Sequence, residues 1–273
     1  MSCKVELLSI GNELLLGNTV NTNASWIAVQ VTIEGGRVTR ITTVSDNIKE
    51  IVAAVQETIK RKPDYLITTG GIGPTYDDMT LKAVAKSTHQ RLRLDPEAVS
   101  MVKQHYLRRF SDNTIRLTKP RLKMATIPSS AIAITNPVGT APAVRLQVGR
   151  TAIFCLPGVP REAKTIFRKS IAPSIRTNAR GQRFLERWIE VSGVMESTLA
   201  PIIDETIKKW PEVYIKSHPR GFEQASPQIE VHFSMTTSDP TRGARSIDDA
   251  IKYFKQQIRQ PKSRRGSSHD PKS

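Results

Sequence analysis

Asp77 and Asp78 follow directly on a glycine-rich loop, Gly70-Gly71-Ile72-Gly73, and this succession of residue types is the strongest chemical signal in the chain. Glycines leave no side chain between backbone amides and a ligand and adopt positive φ without strain, so such a loop suits a phosphate-sized anion. Pro74 and Thr75 complete it. Two carboxylates beside an anion site repel the anion unless a divalent cation lies between them, so the stretch couples a phosphate site to hard oxygen ligands of the kind magnesium takes. The same residues have a plainer use. Asp is favoured at helix starts, and Thr75-x-x-Asp78 has the spacing of a capping box. Glu13, in Gly11-Asn12-Glu13, can orient a metal-bound water or accept a proton, or merely solvate a helix end.

These residues need elements to position them. Lys4 to Ile10 reads as a strand ending at Gly11, and Tyr65 to Ile67 as a strand ending at the glycine loop, with a helical pattern beyond Asp78. Between them come a helix carrying Ala24, Ile27, Ala28 and Val31, a strand from Arg37 to Val44, and an amphipathic helix carrying Ile48, Ile51, Val52, Val55 and Ile59. This βαβαβ order predicts a largely parallel sheet with helices on both faces, and such sheets place ligands at the carboxyl ends of their strands. A helix is expected over 95–110, strands over 131–135, 143–148 and 151–156, the last two joined by a turn at Gly149-Arg150, and a helix from Pro160 to about Ser170. Residues 1–171 thus form one α/β domain. Residues 172–182, with Pro173, Asn178 and Gly181, read as a linker, and 183–260 as a small α+β domain of order βαββα whose last helix is capped by Ser246-x-x-Asp249. The polar, basic stretch 261–273 reads as a disordered tail.

Four stretches in order, IGNELLLGNTVNTNASWIA at 10–28, GGIGPTYDDMT at 70–80, NPVGTAPA at 136–143 and LPGVPREA at 156–163, resemble the competence/damage-inducible protein CinA family, whose first domain has the molybdopterin-binding fold. The resemblance is strong over residues 4–170 and loose beyond. It implies a three-layer α/β domain followed by a small KH-like α+β domain, although the GXXG clamp of an RNA-binding KH module is absent. The activity it implies is divalent-metal-dependent hydrolysis of a nucleotide diphosphate such as ADP-ribose. In that reading Gly70, Gly71 and Gly73, with Pro74 and Thr75, hold the diphosphate, while Asp77 and Asp78 hold the metal and act in catalysis with Glu13. Asn21 and Asn23 would hydrogen-bond the nucleotide or the loop, though both also stand where Asn caps helices. Gly139-Thr140 and Pro157-Gly158 would bring further backbone close to the ligand, and Glu162 sits in the first turn of the next helix. Related branches carry Asp where this chain has Asn12, which leaves open two other readings, adenylyl transfer to molybdopterin and non-catalytic pterin or nucleotide binding. Family members are oligomeric, so a homodimer is expected.

Composition narrows the field. With 273 residues, 38% hydrophobic and 24% charged, the chain reads as globular, and no run is long and apolar enough for a bilayer span. The N-terminus lacks a signal-peptide pattern, which predicts a cytoplasmic protein without membrane partners. Cys3 and Cys155 sit in apolar runs and read as buried reduced thiols, and the five histidines show no ligand-like clustering. A net charge of +16 points to acidic partners, small phosphorylated molecules or nucleic acid. The basic residues are not interleaved with aromatics, and no nucleic-acid-binding signature accompanies them, so nucleic acid is not expected.

Overall fold

Strand β1 (Cys3–Ile10) exposes only Lys4, as expected of a strand flanked by neighbours on both edges and helices on both faces. The computed structural model describes residues 3–110, 116–220 and 228–259. After β1 come a single helical turn α1 (Asn12–Leu15), α2 (Thr22–Ile33), β2 (Gly36–Val44), α3 (Ile48–Arg61) and β3 (Tyr65–Thr69). The glycine loop leads to α4 (Thr80–Ser87), followed by β4 (Leu92–Leu94), α5 (Pro96–Phe110), α6 (Lys119–Lys123), β5 (Thr126–Pro128) and β6 (Ile132–Ile134). The hairpin β7 (Ala143–Val148) and β8 (Thr151–Leu156) turns at Gly149, whose φ is +55°.

The sheet has the order β2-β1-β3-β8-β7-β6, with β2, β1, β3 and β8 parallel and β7 antiparallel to both its neighbours. The order in which strands are added reverses at β1: β2 lies on one side of it and β3 on the other, all three running parallel. At such a switch point the loops leaving β1 and β3 part and open a crevice. One face of the sheet packs on α3 and α4 through Leu8, Ile51, Val55, Leu66 and Val84, the other on α2 and the helices after β8 through Leu7, Ile27, Val31, Phe154 and Phe167. The one buried carboxylate on β1, Glu6, is paired with Arg61 of α3 at 2.7 Å, which fixes that helix across the sheet. A buried charge is tolerated only with such a partner.

The linker expected over 172–182 is not one. Helix α7 (Pro160–Ile166) continues through a π-helical turn (Phe167–Ile171) into α8 (Ala172–Asn178), and Ile171, Ile175 and Ala179 are buried in the core. Pro173 stands in the first turn of α8, where its missing N–H has no partner to lose. The compact units are Met1–Gly181 and Gln182–Ser273.

The second unit is β9 (Arg183–Ser192), α9 (Glu196–Lys209), β10 (Tyr214–Arg220), β11 (Gln228–Thr237) and α10 (Pro240–Arg259), an antiparallel sheet of order β10-β11-β9 whose helices pack on one face through Leu199, Phe233 and Phe254. Its last helix starts six residues before Ser246, because the Asp239 carboxylate accepts from the Arg242 amide at 3.0 Å. Ser246 and Asp249 are therefore interior positions of the helix. The tail at 261–273 lies outside the described residues. Among the described residues, no helix is long and apolar enough to cross a membrane.

Cys3 and Cys155 are both buried, and burial pushes each thiol up to about 12. The thiolate is the reactive species, so the native protein should not react with a disulfide reagent at pH near 8, and unfolding should release both thiols. Rapid modification of either cysteine in the native state would contradict the buried placement.

Candidate active site

The crevice between β1 and β3 opens into a cavity of about 510 Å³. Ile10, Gly11 and Glu13 enter it from the end of β1, Asp46 from the end of β2, residues 70–75 with Asp77 and Asp78 from the glycine loop, Thr140 and Ala141 from the loop before β7, and Pro157, Gly158 and Glu162 from the end of β8. Four loops leaving carboxyl strand ends and the β6–β7 connection thus converge as the topology requires.

Two glycines hold the loop in a conformation closed to other residues. Gly70 has φ +99°, and a Cβ there would lie 2.2 Å from the Ile10 carbonyl oxygen. Gly71 has φ +66°, and Thr80 packs where its Cβ would stand. The Thr80 amide donates to the Gly71 carbonyl at 2.9 Å and its hydroxyl to the Gly70 carbonyl at 2.8 Å, tying loop to helix. The first amide of α4 is thereby already paired. Gly73 does not have positive φ. Its reason is space, since a Cβ would lie 2.7 Å from the Asp78 carboxylate.

The two adjacent aspartates differ. One Asp78 oxygen accepts from the Thr75 amide at 2.8 Å and from the Thr75 hydroxyl at 2.7 Å, so Asp78 closes a turn on Thr75. This is not a helix capping box: α4 begins at Thr80 behind Met79. Asp77 is fully exposed and shares the single Thr75 hydroxyl proton with Asp78, and this hydrogen bond holds its carboxyl below the usual range. Behind the loop, Lys123 donates to the Thr75 carbonyl, and its burial lowers its pKa despite the nearby aspartates.

Of the residues picked from sequence, Glu13, Gly70, Gly71, Gly73, Pro74, Thr75, Asp77, Asp78, Thr140, Pro157 and Gly158 line this one cavity. Asn21 and Asn23 do not. They line a smaller pocket with Glu13 and Gly158, where Asn21 caps α2 by accepting from the Ala24 amide at 3.1 Å and Asn23 donates to the Gly158 carbonyl at 2.7 Å. They shape the cavity wall from behind. Gly139 also faces away, into a neighbouring cavity, and abuts the Glu162 side chain.

Asp46, Tyr106, Met124 and Asn136 were not singled out by sequence reasoning. Asp46 accepts from the Asn12 amide at 2.8 Å, and the Asn12 side chain accepts from the Asp46 amide at 3.3 Å. Asn12 thus places a carboxylate from β2 in the cavity although it carries none itself. Asn136, buried, donates to Glu162 Oε2 at 2.6 Å and to the Ala141 carbonyl at 2.9 Å. An Asn-Pro-x-Gly turn was visible, but its link to Glu162, 26 residues away, was not.

The cavity carries five carboxylates, Glu13, Asp46, Asp77, Asp78 and Glu162, and no Lys, Arg or His among its described lining residues. No three acidic or histidine side chains among the described residues form a preformed metal cluster. The donor set is nevertheless one that suits magnesium, which is held by one or two carboxylates with substrate phosphates and waters rather than by an all-protein cage.

Residues 6–177 match the family described as a probable molybdopterin binding domain. A crystal structure described as the protein CinA with unknown function, from Thermoplasma acidophilum, is 40% identical with a TM-score of 0.58, covering 63% of this chain and 98% of that one. A protein of Pyrobaculum calidifontis is 38% identical over 253 residues, 93% of this chain and 95% of its own length, and one of Metallosphaera sedula is 39% identical over 254 residues, 93% of this chain and 92% of its own.

Proposed function

Since the chain belongs to the molybdopterin-binding domain family, in its CinA-related branch, we propose that it hydrolyses the diphosphate of a nucleotide ester such as ADP-ribose with a divalent cation. The observation that carries this reading is the charge of the cavity: five carboxylates and, among its described lining residues, no cationic side chain face a glycine loop of the kind that takes phosphate, the Lys123 ammonium being tied to the Thr75 carbonyl behind that loop. A bare diphosphate would be repelled there, whereas a divalent cation is attracted and, by cancelling the diphosphate charge, removes the repulsion. When bound, the cation would offset phosphate charge and lower the pKa of a water ligand.

The residues of the chain divide the remaining tasks. Gly70 and Gly71, at positive φ and packed on Ile10 and Thr80, give the loop the backbone course that would bring its main chain to the diphosphate. Asp77, exposed and held ionised by Thr75, offers its carboxylate to the cation, and Asp78 keeps Thr75 and the loop in place while presenting its second oxygen. Glu13 and Asp46 reach the cavity from the opposite side of the crevice, where either can accept a proton from an attacking water. Glu162 is oriented by Asn136 and completes the ring of negative charge.

A second reading, adenylyl transfer to molybdopterin, is favoured by the family match and uses the same loop and cation with a different acceptor. Incubating the protein with ADP-ribose, or with ATP and molybdopterin, with magnesium or manganese and with chelator, separates the two. Release of AMP from ADP-ribose only in the presence of metal is the expected result. Adenylylated pterin without AMP release from ADP-ribose would overturn it.

A further inference from the structure

Beside the carboxylate-lined cavity lies a second, of about 460 Å³, and the two share Thr140. Its chemistry is the reverse of its neighbour's. One wall is the side of α5 bearing Met101, Gln104, His105 and Arg108, whose three- and four-residue spacing stacks them on successive turns. The other is the loop 135–142, with Pro137 and Val138 as apolar surface. No described carboxylate lines it, and Arg108 forms no salt bridge among the described residues. Buried Asn136 joins the two spaces: its Oδ1 accepts from the Gly139 amide at 2.9 Å, setting the wall of the second cavity, while its Nδ2 donates to Glu162 in the first.

We propose that this second cavity takes the arm of the substrate beyond the diphosphate, and that Arg108, with His105 and Gln104, selects an arm ending in its own phosphate. The inference rests on the hydrolase reading above. A phosphate carrying no metal is repelled by five carboxylates in the first cavity. Next door, across Thr140, it meets a guanidinium whose planar donors match phosphate geometry and an imidazole beside it. The apolar wall of Met101, Val138 and Pro137 suits the sugar that carries it.

The test compares ADP-ribose with ADP-ribose bearing a phosphate on its terminal ribose, in the native chain and in Arg108→Ala and Arg108→Lys. Turnover is measured with magnesium, and binding by calorimetry. The phosphorylated compound should show a KM and a Kd about tenfold lower than ADP-ribose in the native chain, the scale of one charge-assisted contact at a partly open site. Arg108→Ala should bring the ratio of the two compounds' KM and Kd values close to one, and Arg108→Lys should recover only part of it. Equal KM and Kd values for the two compounds in the native chain, with hydrolysis intact, would overturn the arm site and leave the hydrolase reading standing. Preferential binding of the phosphorylated compound that depends on Arg108, without hydrolysis of either, would support the arm site and overturn the hydrolase reading. Failure of both compounds to bind would overturn both.

Discussion

Asp77→Asn should lower metal-dependent hydrolysis by about a thousandfold, the scale on which one group stabilising transition-state charge matters, while leaving the melting temperature unchanged. The side chain is fully exposed and serves only as an acceptor, from the Thr75 hydroxyl and from its own backbone amide, and the amide oxygen of Asn can accept from both. What Asn cannot supply is the negative charge a hard cation requires. Nucleotide affinity measured in chelator should stay the same or tighten, because one repulsion of the diphosphate is gone. Asp78→Ala should behave differently, since Asp78 ties both the amide and the hydroxyl of Thr75, so its loss should loosen the loop and weaken binding even without metal. Rates against magnesium concentration, beside calorimetry in chelator, read both effects. Wild-type turnover and metal response in Asp77→Asn would move the catalytic assignment to Asp78 and Glu13.

Gly70→Ala should destabilise the first unit by about 3–4 kcal/mol, combining the strain of an alanine at positive φ with overlap against a backbone atom that cannot swing away. The obstructing atom is the Ile10 carbonyl oxygen at the end of β1, so relief requires β1 and β3 to separate at the mouth of the crevice. At about 2–4 °C per kcal/mol for a unit of this size, the melting temperature should fall by roughly 10 °C. Gly149→Ala is the control. That glycine also has positive φ, +55°, but a Cβ there meets nothing within 4 Å, so its cost should stay near 1 kcal/mol, the conformational part alone. Similar melting temperatures for the two variants would show that contact with Ile10 contributes nothing.

Local order was legible in the sequence because neighbouring residues set it. The strand, loop and helix around Gly70 to Thr80, the hairpin with its turn at Gly149, and the adjacency of Asp77 and Asp78 need only periodicity, glycine conformation and chain connectivity. Where two local readings compete, sequence could not choose between them. Pro173 and Gly181 suggest a linker, but Ile171, Ile175 and Ala179 bury that stretch as a helix against the sheet, and burial outweighs the punctuation. Asp78 fits a capping box by spacing, yet the helix starts two residues later because Thr80 is held by the carbonyls of Gly70 and Gly71.

The composition of the site was a tertiary decision. Periodicity reports which side of an element is apolar, and it carries no record of which strand lies beside which. Placing β1 between β2 and β3 brings Asp46 to the Asn12 backbone and opens the crevice above Gly70, and placing β8 next to β3 delivers Gly158 and, through Asn136, Glu162. Two acids in one loop were readable from the chain. That five of them face one cavity with no cationic side chain among its described lining residues, and that Arg108 and His105 stand across Thr140 in the next, follows only from the packing of strands whose spacing in sequence says nothing of their distance in space.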